Sequence, residues 1–275
     1  MVSLTDVSFG YRKQQTVLNK ISLDIRPGII YGLLGKNGEG KTTLLSIMSG
    51  LLFPAQGNCK VFGEEPAKRK AQSLQQIFLL PEEIYLPDVT VRQYIQMYKP
   101  FYPAFSDEIL NECLESFEID SAARLKKMSL GQKKKAAITL SLAANTPLLL
   151  MDEPTNGLDI PSKSIFRKLL SSVMNDDRAI IISTHQVRDL ESLIDAVVIL
   201  DHKEIVFNLL LDEIGSKLNF RPLEQGETAL YAETSPAGRI GVLPNDTGEK
   251  SIVSLELLFN ATVLSKKEIK HIFNS

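Results

Sequence analysis

A chain of 275 residues, 44% of them apolar, can bury a full core, and its length allows one large domain or two small ones. The formal net charge of −2 leaves no excess of lysine and arginine, so there is no global electrostatic case for nucleic acid and no such partner is expected. Cys59 and Cys113 fall in no CxxC or Cys/His pattern, and His185, His202 and His271 lie far apart, which excludes a recognisable metal-ligand or disulfide framework and fits a reducing cytosol.

Val2 to Phe9 and Thr16 to Ile25 alternate apolar and polar positions around the turn RKQQ, which predicts a half-buried antiparallel hairpin. Pro27-Gly28 breaks the chain before Ile29 to Leu34, an apolar run with the character of a buried strand. Then comes GLLGKNGEGKTTLL, which contains the pattern GxxxxGKT from Gly35 to Thr42 and leads into a helix over Lys41 to Ser49 stopped by Gly50. A triphosphate is dense negative charge, and this loop supplies what holds it. Gly35, Gly38 and Gly40 let the backbone amides of the stretch Gly35, Lys36, Asn37, Gly38, Glu39, Gly40, Lys41, Thr42 and Thr43 turn inward. Lys41 brings the point charge for the β- and γ-phosphates, the Thr42 hydroxyl is a ligand for Mg²⁺, and the helix points its positive end at the anion.

Gly57 to Gly63 reads as a further short strand, and Ser73 to Leu80 ends in an apolar run closed by Pro81. From Val89 to about Ala144 the period turns helical, in the segments TVRQYIQMY, DEILNECLESFEI and GQKKKAAITLSLAAN; this is an inserted helical subdomain, about 89–145. The apolar runs Leu148 to Met151, Ala179 to Ser183 and Ala196 to Leu200, with helical segments between, predict a parallel sheet whose site lies at the carboxyl ends of its strands. From about Glu213 glycine, proline and charge become frequent, and a small α+β unit is expected to close with a short helix over Ser254 to Ala261. The division is therefore 1–212 and 213–275. No charged-then-apolar leader opens the chain and no apolar run approaches a membrane span, so a membrane function requires another polypeptide to cross.

The run Leu148 to Met151 ends in Asp152-Glu153, and the order of the two carboxylates implies two tasks. Asp152 can hold Mg²⁺ beside Thr42, while Glu153 can orient or deprotonate a water at the γ-phosphate. Ser129 and Gly131, in SLGQ, stand at the start of a helix, where hydroxyl, amides and dipole make an anion site; simple capping by Ser129 explains the same serine. Lys133, Lys134 and Lys135 oppose the dipole there, and either an arriving phosphate or a solvated face accounts for them.

DEPTNGLD, SLGQ and the STH of Ser183 to His185, in this order after the phosphate loop, closely resemble the ATP-binding subunits of ABC transporters over residues 1 to about 210. The resemblance implies an α/β P-loop NTPase of ABC type, with an N-terminal antiparallel β-subdomain, a mostly parallel core sheet, the inserted helical subdomain and a small C-terminal α+β extension. It implies ATP hydrolysis with Mg²⁺ in a head-to-tail dimer, homomeric or heteromeric, around two ATP. It implies transport through separate multi-span membrane subunits, and hence a cytoplasmic protein peripheral to the inner face of the cell membrane. In it His185 resembles the switch histidine, Asp159 the D-loop aspartate, and Ser129, Leu130, Gly131 and Gln132 the signature offered to the opposite subunit's nucleotide. Tyr11 resembles the aromatic that stacks on adenine, although a hairpin-end aromatic reads the same way.

Two positions depart from the family pattern. Glu82 follows Pro81 where glutamine is common, which brings a second carboxylate toward the metal and the attacking water; Leu130 replaces a glycine of the signature. Between Phe78 and Phe105 lie Tyr85, Tyr94, Tyr98, Phe101 and Tyr102, which serve either a buried subdomain core or the docking of a membrane partner. MYKPFYPAF and the long tail resemble bacterial exporter-type ATPases. A soluble ABC-type ATPase of the iron–sulfur-assembly kind is the alternative reading.

Overall fold

The computed structural model describes residues 1–12, 15–236, 238–246 and 248–274. Two long strands, β1 (Val2–Arg12) and β2 (Gln15–Ile25), pair antiparallel as their alternation predicts, Val2 opposite Ile25 and Leu4 opposite Leu23. The middle of the expected turn, Lys13 and Gln14, lies outside the described residues. The central strand β3 (Ile29–Leu34) leads through residues 35–40 into α1 (Lys41–Met48), and β4 (Gln56–Val61) returns to pair with β1. The stretch Ser73 to Leu80 divides into the last residues of a short helix α2 (Ala71–Leu74) and β5 (Ile77–Leu80).

The helical insertion follows as α3 (Val91–Tyr98), α4 (Asp107–Ser116) and α5 (Leu130–Ala143). Local chemistry sets their starts: Thr90 and Gln93 form a reciprocal capping box on α3, and the Ser106 hydroxyl accepts from the Ile109 amide at 3.2 Å. Then come β6 (Leu148–Asp152), α6 (Ile160–Ser172), β7 (Ala179–Thr184), β8 (Ala196–Asp201) and β9 (Glu204–Leu210). The chain closes with α7 (Leu211–Lys217), β10 (Leu218–Pro222), β11 (Tyr231–Ser235), β12 (Gly238–Pro244), α8 (Leu255–Leu264) and α9 (Lys266–Asn274).

The strands form three sheets, ordered β2-β1-β4, β5-β6-β7-β3-β8-β9 and β10-β12-β11. All pairs of the six-stranded sheet are parallel except β8 with β9. Every residue of β6, β7 and β8 is buried, as a strand covered on both faces must be. One face joins the N-terminal sheet and α1 in a cluster that includes Val7, Leu18, Leu44, Leu45 and Ile181. The other face packs the helical insertion together with the C-terminal segment: Ile214, Leu218, Leu255 and Leu258 share one cluster with Phe166, Ile182 and Val197. The edge strand β9 has no counterpart in the sequence reading. Its turn passes through His202 and Lys203 at φ 48° and 69°, a left-handed pair built without the glycine or asparagine that usually announces a hairpin.

At the amino-terminal end of the sheet Arg178, 1% exposed, fastens the loop before β6 to the loop before β7. Its Nε donates to the Thr146 carbonyl at 2.9 Å, Nη1 to the Val173 carbonyl at 2.9 Å and Nη2 to Asn145 Oδ1 at 2.8 Å, while burial pushes its pKa down to about 10. Arg178→Met leaves these acceptors without a donor and is expected to cost about 3 kcal/mol of stability, read as a lower urea midpoint at unchanged slope.

Candidate functional site

The parallel register brings the site's parts to one edge. Leu34 lies opposite Thr184 and Asp152 opposite Ser183, so the carboxyl ends of β3, β7 and β6 stand side by side. The phosphate loop leaves β3, the neighbour of β7, so β7 lies between the loop's strand and the acidic strand β6. Gly38 and Gly40 adopt φ of 85° and 107°, and a Cβ on Gly40 would come within 2.9 Å of the Leu18 side chain. Gly35 runs against β8, where a Cβ would sit 2.7 Å from the Leu200 carbonyl oxygen. Gly40 caps α1 without a side chain, so the first amides of the helix receive no cap from it and remain suited to an anion. Lys36 and Asn37 are exposed on the loop, and Glu39 Oε2 accepts the Lys203 amide at 3.3 Å.

Lys41 is buried, with Nζ donating to the Gly35 carbonyl at 2.7 Å and the Lys36 carbonyl at 3.3 Å and standing 3.8 Å from Glu153 Oε1. Burial lowers its pKa, against the opposing pull of Glu153, Asp152 and Glu82. The Thr42 hydroxyl donates to Asp152 Oδ2 at 2.6 Å, and the Ser183 hydroxyl donates to Asp152 Oδ1. Glu153 Oε1 meets His185 Nδ1 at 2.8 Å, while Glu153 Oε2 is buried without a hydrogen-bond partner. Tyr11 is 60% exposed, its ring set edge-on to Phe9 and its hydroxyl 3.1 Å from Thr43 Oγ1, which places an open aromatic face beside α1.

Ser129 is the N-cap of α5, in a capping box with Gln132: the Ser129 hydroxyl accepts the Gln132 amide at 3.2 Å and Gln132 Oε1 accepts the Ser129 amide at 3.0 Å. Asp159 likewise caps α6, accepting from the Ser162 amide at 2.9 Å, and these hydrogen bonds lower its pKa. Between these two caps lies a cavity of about 500 Å³ lined by Ser129, Gly131, Lys135, Gly157 and Asp159. Leu130 and Ile160, immediately beside the caps, are 74% and 84% exposed.

Glu82 is exposed, and its Oε1 accepts from Asn156 Nδ2 at 3.2 Å; Asn156 Oδ1 in turn accepts from Gln186 Nε2 at 3.3 Å. The three lysines of α5 separate. Lys135 lies 5.9 Å from the centre of the Phe117 ring, whereas Lys134 is 4% exposed and donates to the Glu82 carbonyl at 3.1 Å. A solvated face therefore does not describe Lys134: burial lowers its pKa, and Glu82, Asp152 and Glu153 oppose that shift. Ser183 and Lys134 are the residues the sequence reading did not assign to the site. The only signal for Ser183 was a hydroxyl at the end of the apolar run AIII; that it stands directly opposite Asp152 is set by the register.

A phosphate loop, an acidic strand end and a histidine just beyond the neighbouring strand define an ATP-binding cassette. The chain belongs to the ABC transporter family: the family model described as ABC transporter matches residues 18–156. Over 215 residues the chain is 30% identical to the ABC transporter ATP-binding protein YtrB of Bacillus subtilis, covering 78% of this chain and 73% of that one. It is 28% identical to the bacitracin transport ATP-binding protein BcrA of Bacillus licheniformis, over 85% of this chain and 78% of the relative. Among solved structures, a dimeric ATP-binding cassette in a post-hydrolysis state bound to ADP and Pi superposes with a TM-score of 0.66 at 23% identity, over 76% of this chain and 98% of that one. The fold is thus the expected ABC-type P-loop NTPase fold.

Gly40→Ala tests the loop. Its strain of about 1–3 kcal/mol, added to the clash with Leu18, is expected to weaken ATP binding by about tenfold or more, measured by titration with a fluorescent ATP analogue.

Proposed function

We propose that this ATP-binding subunit hydrolyses ATP in a head-to-tail dimer, of two copies or with a related subunit, and so powers export through separate membrane subunits. The observation that carries the reading is the pairing of Thr42 and Ser183 on Asp152 beside that of Lys41 and His185 on Glu153. The residues fit Mg²⁺: the Thr42 hydroxyl and the Asp152 carboxylate are hard oxygen donors at the mouth of the loop, and Glu82 stands at the end of the adjacent strand β5. That ion would neutralise phosphate charge. The chain's own residues supply the rest. Lys41 and the loop amides hold the phosphates, Tyr11 stacks on the base, and Glu153, whose free Oε2 has no protein partner, orients or deprotonates the attacking water with His185 against its other oxygen.

The dimer reading is supported by the cavity between Ser129 and Asp159, an anion-suited surface flanked by Leu130 and Ile160, two exposed apolar side chains. In this reading Ser129, Leu130, Gly131 and Gln132 face the second subunit's nucleotide and Asp159 communicates across the interface. Capping of α5 uses a lone pair of the Ser129 oxygen and leaves its O–H to donate to a phosphate oxygen, so the two roles of the serine are compatible.

No helix among the described residues is long and apolar enough to cross a membrane, so coupling to transport needs membrane subunits, and we place the chain on their cytoplasmic side. The aromatic cluster divides between the two readings. Tyr94 is 6% exposed and belongs to the core, whereas Tyr85 and Phe101, at 88% and 66%, are open and fit a docking partner. The export direction of this reading rests on the resemblance of the MYKPFYPAF segment to exporter-type ATPases.

Lys41→Ala and Glu153→Gln are expected to fail differently. The first weakens ATP binding; the second binds ATP, accumulates as a closed dimer, and loses a hundredfold or more of the hydrolysis rate, roughly 3 kcal/mol at the transition state. Undiminished hydrolysis by Glu153→Gln removes it as the base. The double variant Tyr85→Glu/Phe101→Glu is expected to fold normally and lose co-purification with membranes; retention of a multi-span partner removes this face as the dock, and absence of any such partner for the unaltered protein favours the soluble assembly-type ATPase.

A further inference from the structure

The segment that follows β7 carries His185 and is held from two sides. On the first, Lys163 of α6 donates to Asp189 Oδ2 at 2.6 Å and to Gln186 Oε1 at 3.3 Å. On the second stands α8, from the C-terminal part of the chain. Ser254, the N-cap of α8, forms no side-chain cap, and Glu191 takes its place: Oε1 accepts the Leu255 amide at 2.8 Å. A carboxylate suits a helix N-terminus because it meets both the unpaired amides and the positive end of the dipole. Next in α8, Glu256 Oε2 accepts from Arg188 Nε at 2.7 Å and lies 2.6 Å from Arg188 Nη2. Further along the helix Phe259 lines a cavity of about 130 Å³ with Lys36, Thr184, His185 and Val187.

The helix itself has little freedom. Leu255, Leu258 and Ala261 are fully buried in the cluster shared with the core sheet, so what α8 touches is referred to the rigid part of the molecule. The histidine segment is held more lightly: its 3₁₀ turn, Val187–Asp189, has no fully buried residue, and only the half-buried Val187 packs on the same cluster before Leu190 enters the core.

We infer that α8 is a brace for the histidine segment and that Glu191, Glu256 and Phe259 are positioning residues for ATP hydrolysis. This rests on the ATPase reading above. The physical demand is tight. His185 Nδ1 lies 2.8 Å from Glu153 Oε1, and a misplacement of about 1 Å at a reacting centre can cost roughly a hundredfold in rate. The hydrogen bonds of Glu191 and Glu256 run to Leu255 and Arg188 and not to the phosphate loop, so loss of the brace should act on turnover and spare nucleotide affinity. The C-terminal part of the chain thereby gains a task in the site.

The test uses the full chain with Glu191→Ala, Phe259→Ala and Glu191→Gln, the last keeping an oxygen that can accept from the Leu255 amide. Steady-state ATP hydrolysis and hydrogen exchange of residues 184–192 are measured for each. Both alanine variants are expected to lower kcat about tenfold and to speed exchange in this segment, with KM for ATP within about threefold for Glu191→Ala, whose partners lie away from the phosphate loop; Glu191→Gln is expected to reverse the effects of Glu191→Ala. Should Phe259→Ala not fold, the Glu191 pair, at an exposed position, decides alone. The brace is overturned by unchanged kcat, by an effect confined to KM, by unchanged exchange, or by failure of Glu191→Gln to rescue. If the unaltered chain hydrolyses no ATP while exchange still follows the Glu191 series, the ATPase reading falls and the brace stands.

Discussion

Both oxygens of the Asp152 carboxylate are occupied by hydroxyls, Thr42 from α1 on one and Ser183 from β7 on the other. A carboxylate 2% exposed at the end of an apolar strand is tolerable only when its lone pairs are met, and here the groups that meet them are the phosphate-loop helix and the strand that leads to His185. One buried anion therefore sets the spacing between the part of the site that holds phosphate and the part that acts on it. The parallel register makes this possible. In an antiparallel sheet the ends of β3, β6 and β7 would not share an edge, and the carboxylate would face only one of its partners.

Charge around this anion is balanced from two directions. Lys41 rises from the loop, and Lys134 enters from the helical insertion to reach the Glu82 carbonyl. Burial works against both ammonium groups, and the field of Glu82, Asp152 and Glu153 works for them. A carboxylate at position 82 adds negative charge beside a site that must accept a triphosphate; a buried lysine in contact with the same residue's backbone offsets it. The carboxylate itself is turned to Asn156, so the residue joins the insertion, the acidic strand end and the Gln186 side chain through one polar chain.

How far the sequence makes this legible differs between elements for definite reasons. The phosphate loop, the hairpin and the core strands announce themselves because glycine spacing, alternation and apolar runs are local signals, and β1 to β3, β6, β7 and β8 fall where these signals stand. β9 escapes because its turn at His202 and Lys203 uses left-handed residues that are not glycine. The limit drawn at 212 falls inside α7, since the change in composition there marks exposed turns and not a break in the core that Ile214 and Leu258 share with Ile182. Ser183 and Lys134 could not be assigned because their roles depend on register and on the crossing of α5 over β5, which no single segment encodes.

Glu153 shows the same limit at the scale of one residue. Its backbone lies at φ 45°, a left-handed conformation that costs a non-glycine residue on the order of 1–3 kcal/mol and that local preference alone would not assign to glutamate. The amide is held in that pose by Ser183, whose Oγ and carbonyl oxygen it reaches at 3.1 and 3.2 Å. The turn separates two consecutive carboxylates that a continuing strand would have pointed to opposite faces of the sheet. Asp152 stays within the strand and binds the two hydroxyls; Glu153 is directed along the sheet's edge toward Lys41 and His185. The hydroxyl of Ser183 thus serves both carboxylates, donating to the first and accepting from the amide of the second, and the strain at Glu153 is the means by which one dipeptide reaches two halves of a site.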